Sequence, residues 1–388
     1  MSIKPFLSNL WKTIYKNPRN RVKEERFLKQ RLAFVEGVKK NTQTYDKEVL
    51  IIRTDDIGDY ILFRNTLEAY RKYYSGYKIT LIGHVLWKPI AESWDADFVD
   101  EFIWIEKGRF LKDDAYAHQF LQQIANKKPE IILAPSYSRS TFIDGLFAAL
   151  IPAQSKYCWQ RSDREVRHWL RKYCDVPFTK TFPIPKDLHE FDLNKQFVEL
   201  VTGSKLEITK PNINPQKLSV VTGLPQNYVV LFAGAAAKRK RWSTQNFAQI
   251  ADYIYTRYQL PCVVCGAKGD APLAQAILQS AKNKEAIIDY TGQTDLIQLA
   301  TVINQCQLII TNDTSAAHYA AALGKKTIAL LNGNSYGRFF PYPVNQHPNI
   351  KAIYPPTVTQ PVYDWVGMGD INKISVDRVE EEVDGVLG

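Results

Sequence analysis

The 388-residue chain is poor in sulfur, with five cysteines and two methionines. The cysteines show no paired framework of the kind that secreted domains use, which fits a reducing compartment. No apolar stretch approaches the roughly 18 to 20 residues needed to span a bilayer, and the N-terminus has no signal-peptide pattern. Because 45% of the residues are hydrophobic and 23% are charged, composition excludes disorder and collagen-like repeats. We expect a soluble, cytoplasmic protein with sizeable cores.

Familiar catalytic and metal motifs are also missing. The chain has neither a Walker phosphate loop nor a G-x-S-x-G elbow, and no residues have metal-ligand spacing. Cys262 and Cys265 form a CxxC pair inside an apolar strand, without a second pair, so we interpret them as core residues. The expectation is a protein that uses neither a metal nor another cofactor.

Positive charge is concentrated at the N-terminus. The formal net charge is +10, and residues 1–45 alone hold eleven basic and three acidic side chains, a net +8. The near-neutral remainder lacks the basic groove of nucleic-acid enzymes, so we expect no nucleic-acid partner. Two amphipathic helices are predicted in this arm, with apolar stripes of Leu7, Leu10, Trp11 and Ile14 and of Leu28, Leu32 and Val35. Such an arm either lies on an anionic membrane surface or packs on protein, and the sequence leaves both open.

From residue 48 onward, short β-branched runs alternate with helical stretches. Strands are predicted at 49–53, 78–84, 101–106, 130–136, 228–234, 261–266, 286–292, 307–312 and 327–333. A proline-rich stretch at 150–225 separates the two series. Among the predicted helices are one through Ile61 to Tyr73, one at 244–258 and a final one near 375–386. This order predicts two doubly wound, Rossmann-like α/β domains facing across a cleft, at 46–215 and 216–388, with the arm at 1–45.

In doubly wound sheets ligands bind beyond the carboxyl ends of the strands, so the loops there are the candidate site. After the first strand, Asp59 follows Gly58 at a predicted helix start, where it either acts as a general base or caps the helix. After residue 234 come four consecutive cations, 238–241, which suit a diphosphate or form an ordinary solvated loop. Asp270 is placed to accept hydrogen bonds from ribose hydroxyls.

The loop after residue 312 reads NDTSAAH. We predict a helix from about Thr314 with Asp313 as its N-cap, so that its first amides form an anion site. The small residues at 315–317, Ser315 first among them, either let a phosphate approach closely or only pack on the sheet as part of an ordinary capped helix. His318 lies one turn inside the helix, where it either reaches the same anion or is a satisfied helix histidine.

Five segments occur in one order along the chain: IIRTDDIGDYIL, FAGAAAKRKRW, TGQTDLIQLATVI, IITNDTSAAHYAAALGKKTIALLNG and RFFPYP. In that order the chain resembles glycosyltransferase family 9, the bacterial heptosyltransferases that build the lipopolysaccharide inner core. The resemblance implies the GT-B fold and an inverting, metal-independent transfer from ADP-heptose. It also implies a glycan or lipid-linked glycan acceptor, and an enzyme that is cytoplasmic or peripheral at the inner face of the inner membrane.

The resemblance also assigns roles to individual residues. Asp59 falls on the family's general base, and Lys240 falls on the lysine that neutralises the donor diphosphate. The donor-binding set is Lys240, Asp270, Asp313, Thr314, Ser315 and His318. The acceptor or cleft set is Asp55, Gly58 and Arg338.

Departures from the family pattern leave alternatives open. Ser315 stands where the family has glycine, and Ser243 and Lys326 stand where it has proline. A transferase with another nucleotide sugar and a capsule or protein acceptor is one alternative. The others are a GT-B sugar-nucleotide epimerase and a non-catalytic nucleotide-sugar-binding protein.

Overall fold

The computed structural model describes residues 18–40, 42–161, 169–185, 188–334, 336–344, 346–358 and 368–388. These residues form two six-stranded sheets and the helices that connect their strands. The predicted helix with Leu7 to Ile14 lies outside the described residues. Within them, no helix combines the length and the apolar character needed to cross a lipid bilayer.

The first sheet consists of parallel strands in the order β3-β2-β1-β4-β5-β6. The strands are β1 Asp46–Arg53, β2 Lys78–His84, β3 Glu101–Ile105, β4 Pro129–Ala134, β5 Ser155–Trp159 and β6 Lys180–Phe182. Residues 48–53 of β1 are all buried, as expected of a central strand covered by helices. Successive strands β2 and β3 lie on one side of β1, and β4 to β6 lie on its other side, so the strand order reverses between β1 and β4.

The second sheet repeats this arrangement in the order β12-β11-β10-β7-β8-β9, again all parallel. Its strands are β7 Val229–Phe232, β8 Cys262–Val264, β9 Ile287–Asp289, β10 Leu308–Asn312, β11 Thr327–Leu330 and β12 Ile350–Ile353. Here the order reverses between β7 and β10. Cys262 and Cys265 are both buried, which confirms their interpretation as core residues.

The helices lie between and after the strands. In chain order they are α1 Pro18–Val38, α2 Ile57–Phe63, α3 Leu67–Tyr73, α4 Lys88–Trp94, α5 Lys107–Phe110, α6 Asp114–Ile124, α7 Asp144–Leu150, α8 Arg171–Cys174, α9 Glu190–Thr202, α10 Thr244–Tyr258, α11 Ala271–Ser280, α12 Leu296–Gln305, α13 Ser315–Ala322 and α14 Val376–Leu387. Helices predicted from apolar periodicity, such as α10, occur within a few residues of their predicted bounds. The single helix predicted through Ile61 to Tyr73 is wrong, because a 3₁₀ turn at Arg64–Thr66 divides it.

Contacts between residues divide the chain into two compact units that do not follow chain order. The first comprises Met1–Asp56, Thr66–Lys186 and Leu193–Leu206. The second comprises Ile57–Asn65, Asp187–Asp192 and Glu207–Gly388. Helix α2 therefore follows β1 in sequence yet belongs to the second unit. The predicted boundary between 215 and 216 does not anticipate that exchange.

Helix α1 packs into the first unit. Leu28 and Val35, two members of the predicted apolar stripe, are at most 1% exposed and belong to the hydrophobic core of that unit. Arg31 is buried between them and bonds to Asp114 over 2.6 Å, while Phe34 stacks on His118. The apolar side of α1 is thus occupied by protein. Of the two alternatives for the arm, packing is the one that this helix adopts.

Candidate functional site

The candidate site of the second unit lies where strands β7 and β10 end. These neighbours leave in opposite directions across the sheet, so their following loops diverge and open a crevice between them. The side chain of Asn312, the last residue of β10, links the ends of the two strands. Its amide nitrogen donates to the Ala233 carbonyl over 2.8 Å, and its oxygen accepts from the Trp242 backbone N–H over 3.1 Å. One buried amide therefore ties both strand ends to the basic loop.

The four consecutive cations of that loop have different environments. Lys240 bonds to Asp313 over 2.7 Å, and the two side chains are 19% and 7% exposed. Arg241 instead donates to the Ala235 carbonyl over 2.7 Å and braces the loop from within. Lys238 and Arg239 are exposed. Lys240 therefore joins the basic loop to the loop after β10.

Helix α13 begins one residue later than predicted. Thr314, not Asp313, is its N-cap, and the Thr314 hydroxyl accepts from the Ala316 N–H over 3.3 Å. A second hydroxyl, that of Thr311, lies 3.2 Å from the Thr314 oxygen. The prediction failed because both residues are good caps, and the carboxylate of Asp313 is engaged by Lys240. The half-buried Ser315 is the first residue of α13 and follows Asp313 and Thr314.

Asp270 stands at the ends of β7 and β8. A Cβ atom built on Gly234 would lie 2.6 Å from its Oδ2, and one built on Gly266 would lie 2.9 Å from its Cβ. The Ala267 N–H donates to the same carboxylate over 3.0 Å. Two glycines thus make room for one half-buried carboxylate at the strand ends.

Helix α2 approaches α13 closely through a glycine. A Cβ atom on Gly58 would lie 2.7 Å from Cδ2 of His318 and 3.6 Å from Cα of Ser315, so only glycine allows this packing. The first turn of α2, which includes Asp59, therefore packs against the first turn of α13. Asp59 follows a strand of the first sheet in sequence, but its helix packs with the second unit.

His318 is a buried, hydrogen-bonded helix histidine. It is 4% exposed, and its Nδ1 lies 2.6 Å from the Tyr342 hydroxyl. Burial lowers the pKa of its imidazole to about 4, so the ring is neutral at pH 7. Of the two alternatives left open by the sequence, satisfied packing is what the geometry shows.

Two further histidines surround Tyr342. The rings of His189 and His347 lie 4.5 and 4.6 Å from its ring, measured between centroids. Burial also lowers the pKa of each of these imidazoles to about 4. Half of the six histidines in the chain therefore form one neutral cluster in the second unit.

Asp59 faces Arg338, and Arg338 also binds a residue that sequence reasoning missed. The guanidinium Nη2 lies 3.3 Å from Oδ1 of Asp59, and Nε lies 2.9 Å from Oε2 of Glu190. Gly337, at a φ of 80°, makes the turn that presents Arg338. No local signal pointed to Glu190, because 148 residues separate it from the arginine that it binds.

Asp55 belongs to the first unit and has a structural environment. Its Oδ1 accepts from Nε of the fully buried Arg53 over 2.9 Å. Asp56 bonds to Lys107 instead over 3.0 Å and remains 75% exposed. The two neighbouring carboxylates therefore engage different cations. In the described residues, no group of three or more His, Cys, Asp or Glu side chains could hold a metal ion.

Comparison with known proteins identifies the class first. Two solved structures match nearly the whole fold. The first is a family 9 glycosyltransferase from Veillonella parvula, with a TM-score of 0.69 and 20% identity; the match covers 89% of this chain and 99% of that one. The second is the E. coli heptosyltransferase WaaC with ADP-2-deoxy-2-fluoro heptose, with a TM-score of 0.64 and 15% identity; the match covers 87% of this chain and 99% of that one. The fold is therefore that of a GT-B glycosyltransferase.

The family follows from the sequence match. The model of glycosyltransferase family 9 (heptosyltransferase) matches residues 148–360, and the chain belongs to this family. The lipooligosaccharide heptosyltransferase 2 of Haemophilus ducreyi is 25% identical over 309 residues, which cover 76% of this chain and 85% of that protein. The resemblance stated from the five segments is thus confirmed, and the protein is a glycosyltransferase.

Replacing Gly58 with alanine tests the contact between α2 and α13. Because a methyl group there overlaps His318, we expect Gly58→Ala to lower the free energy of unfolding by about 1 to 3 kcal/mol, the usual cost of overpacking. Chemical denaturation measures it. The matched control is Gly108→Ala in α5, where a Cβ atom meets nothing within 4 Å. Equal stability of the two variants would contradict the close approach.

The histidine cluster predicts acid sensitivity of the second unit. Each imidazole has a folded pKa near 4 and an unfolded pKa near 6.5, so the unfolded chain binds protons first as the pH falls. The free energy of unfolding is therefore highest above pH 6.5 and falls between pH 6.5 and 4. By pH 5.5 each histidine has lowered it by roughly 1 kcal/mol.

A matched variant separates this effect from other titrations. Asp144 in the first unit acts in the opposite direction, since burial raises the pKa of its carboxyl to about 6. His347→Phe keeps a ring against Tyr342 but removes one titrating group. We expect its loss of stability between pH 7 and 5.5, measured by denaturation, to be smaller than that of the wild type by about one third of the cluster's contribution. An unchanged pH dependence would show that the cluster is not the source.

Proposed function

We propose that this enzyme transfers heptose from ADP-heptose to a hydroxyl of the lipopolysaccharide inner core, with inversion and without a metal. Membership of family 9 and relatives named heptosyltransferase 2 support the reaction class. The observation that carries the assignment to particular residues is the Gly58 contact. It brings Asp59 to the start of α13, in the same unit as the Lys240–Asp313 pair.

Asp59 is the proposed general base. Inverting transfer needs a group that takes the proton from the acceptor hydroxyl as that oxygen attacks the sugar, and a carboxylate at pH 7 is able to do so. Asp59 is 16% exposed and lies in the first turn of α2 beside Arg338, which favours its ionised form. The other acids of this loop, Asp55 and Asp56, bind cations of the first unit.

The crevice between β7 and β10 is the proposed donor site. Negative charge grows on the diphosphate as the sugar leaves, and fixed donors at that position stabilise the transition state. Lys240 and the first amides of α13 supply such donors, with Thr314 and Ser315 beside them. Asp270, at the ends of β7 and β8, is placed to bind the ribose hydroxyls. These cationic and amide groups take the place of a metal in the proposed reaction, so activity in EDTA is expected to persist.

The neutral His318 plays no part in proton transfer in this scheme. Its pKa near 4 makes it a weak base at pH 7, and its Nδ1 is engaged by Tyr342. We propose that it supports the donor site by packing, since it holds Gly58, and therefore Asp59, against α13.

The exposed side of helix α1 is the proposed membrane contact. Its apolar side is buried, but Lys23, Arg26 and Lys29 are exposed, and Lys39 and Lys40 follow the helix end. Each basic residue near an anionic surface contributes on the order of 1 kcal/mol. We propose that these cations hold the enzyme electrostatically at the inner face of the inner membrane, where a lipid-linked acceptor is available.

The base is tested with Asp59→Asn. We expect folding and ADP affinity to be retained and turnover to fall by at least about 10²-fold, because the amide cannot accept the acceptor proton. Heptose transfer from ADP-heptose to a truncated lipopolysaccharide measures turnover. Asp56→Asn in the same loop is the matched control and is expected to retain activity, since its carboxylate is 75% exposed. Turnover of Asp59→Asn within a few-fold of the wild type would refute the assignment.

Lys240→Ala tests the diphosphate site. We expect ADP binding to weaken by roughly 1.5 to 3 kcal/mol, the range for hydrogen bonds to charged groups. Calorimetry with ADP measures this, and UDP and GDP serve as comparators for the nucleotide preference. Lys238→Ala, in the same loop but exposed, is the matched control. Equal ADP affinity of both variants, or equal binding of all three nucleotides, would contradict the proposed donor site.

The membrane contact is tested by charge reversal. We expect the triple variant Lys23→Glu, Arg26→Glu, Lys29→Glu to lose salt-sensitive binding to phosphatidylglycerol vesicles while ADP affinity is unchanged. Vesicle sedimentation at low and physiological salt measures it. A variant with the same charge change at Lys205, Lys282 and Lys284, which are exposed elsewhere, is the control. If both triple variants lose binding equally, the contact depends on net charge and not on α1.

A further inference from the structure

Two carboxylates share the guanidinium of Arg338. Its Nε lies 2.9 Å from Oε2 of Glu190, and its Nη2 lies 3.3 Å from Oδ1 of Asp59. The Glu190 side chain is 1% exposed, whereas those of Arg338 and Asp59 are each 16% exposed. A buried carboxylate therefore holds one edge of the arginine, and the more accessible carboxylate meets its far end.

Glu190 and Arg338 are also joined through their backbones. The Glu190 N–H donates to the Arg338 carbonyl over 2.8 Å. One residue to either side, Nε2 of His189 lies 3.0 Å from the Phe339 carbonyl. The guanidinium itself lies 4.4 Å from the centre of the Phe339 ring. The beginning of α9 and the loop at 338–339 thus form one clamp that fixes where the arginine points.

The groups around Asp59 make it sensitive to this clamp. Arg338 faces it from the loop at 338–339, Glu190 lies behind Arg338 on α9, and the neutral His318 packs on the adjacent Gly58 from α13. A single arginine beside a carboxylate favours its ionised form but also makes it a weaker base. A second carboxylate on the same arginine offsets part of that charge. A change in either partner of Arg338 therefore changes the charge that faces Asp59.

We propose that Glu190 is a positioning residue for sugar transfer, acting through Arg338 on Asp59. It fixes the guanidinium and balances its charge, so that the carboxylate of Asp59 is oriented toward the acceptor hydroxyl. The inference rests on the proposed role of Asp59 as general base. It adds a buried residue, distant in sequence, that tunes this base without contacting either substrate.

Two substitutions of opposite sign test the inference through the pH profile of kcat/KM. Glu190→Gln keeps the side-chain size and an oxygen for Nε but removes the offsetting charge. We expect the acid limb to move to lower pH by about 0.5 unit or more and the plateau to fall several-fold. Arg338→Met removes the cation, and we expect its acid limb to move to higher pH. ADP affinity is expected to be unchanged in both variants.

Controls separate tuning from a loss of structure. Glu92→Gln alters an exposed glutamate of α4 and is expected to leave the profile in place. Arg338→Lys keeps the charge but not the fork that reaches both carboxylates, so we expect its acid limb to stay near that of the wild type while kcat falls. If Glu190→Gln folds poorly, Glu190→Asp replaces it. This variant keeps the charge but shortens the side chain, so we expect kcat to fall while the acid limb stays near that of the wild type, and an unchanged kcat would overturn the positioning role.

The outcomes distinguish this inference from the proposed function. Opposite shifts of the acid limb support it. Limbs that stay in place in both Glu190→Gln and Arg338→Met, while Asp59→Asn is inactive, overturn the positioning role and leave the base assignment intact. An active Asp59→Asn overturns the base assignment itself.

Discussion

The close approach of helices α2 and α13 is the constraint on which the rest of the site depends. At Gly58 a methyl group would overlap the His318 ring, because its Cβ would lie 2.7 Å from Cδ2 of that ring. Asp59 is the next residue along α2, so the close contact at Gly58 restricts where Asp59 lies. Any side chain larger than hydrogen at residue 58 would move the proposed base and the proposed donor site apart.

His318 is central to this contact for reasons of packing and charge together. Its ring is buried among aromatic neighbours and stacks on Phe340, with centroids 5.4 Å apart. Burial keeps it neutral, so it adds no positive charge beside Asp59. A charged imidazole there would compete with Arg338 for the carboxylate. The neutral His318 ring therefore contributes packing beside Asp59, and the positive charge that faces this carboxylate comes from Arg338.

In the crevice between β7 and β10, the basic side chains are held by few, specific contacts. Of the four cations in the loop after β7, one faces Asp313 and another braces its own backbone. The buried Asn312 fixes the base of the loop, so Lys240 lies where the strand order reverses between β7 and β10.

Helix α1 also has two different sides. Its apolar side is packed in the first unit, and its cations are exposed.

The sequence by itself determined the alternation of strands and helices, the parallel sheets and the loops that carry the site, because periodicity and strand-end position are local properties of the chain. It also singled out Asp59, Lys240 and Asp313 as candidate site residues. It missed the strands β5, β6 and β12, and it assigned the cap of α13 to the wrong neighbour. Only the tertiary structure decided that α2 joins the second unit and that Glu190 binds Arg338. Both depend on contacts between residues far apart in sequence, where packing and charge pairing leave no local pattern.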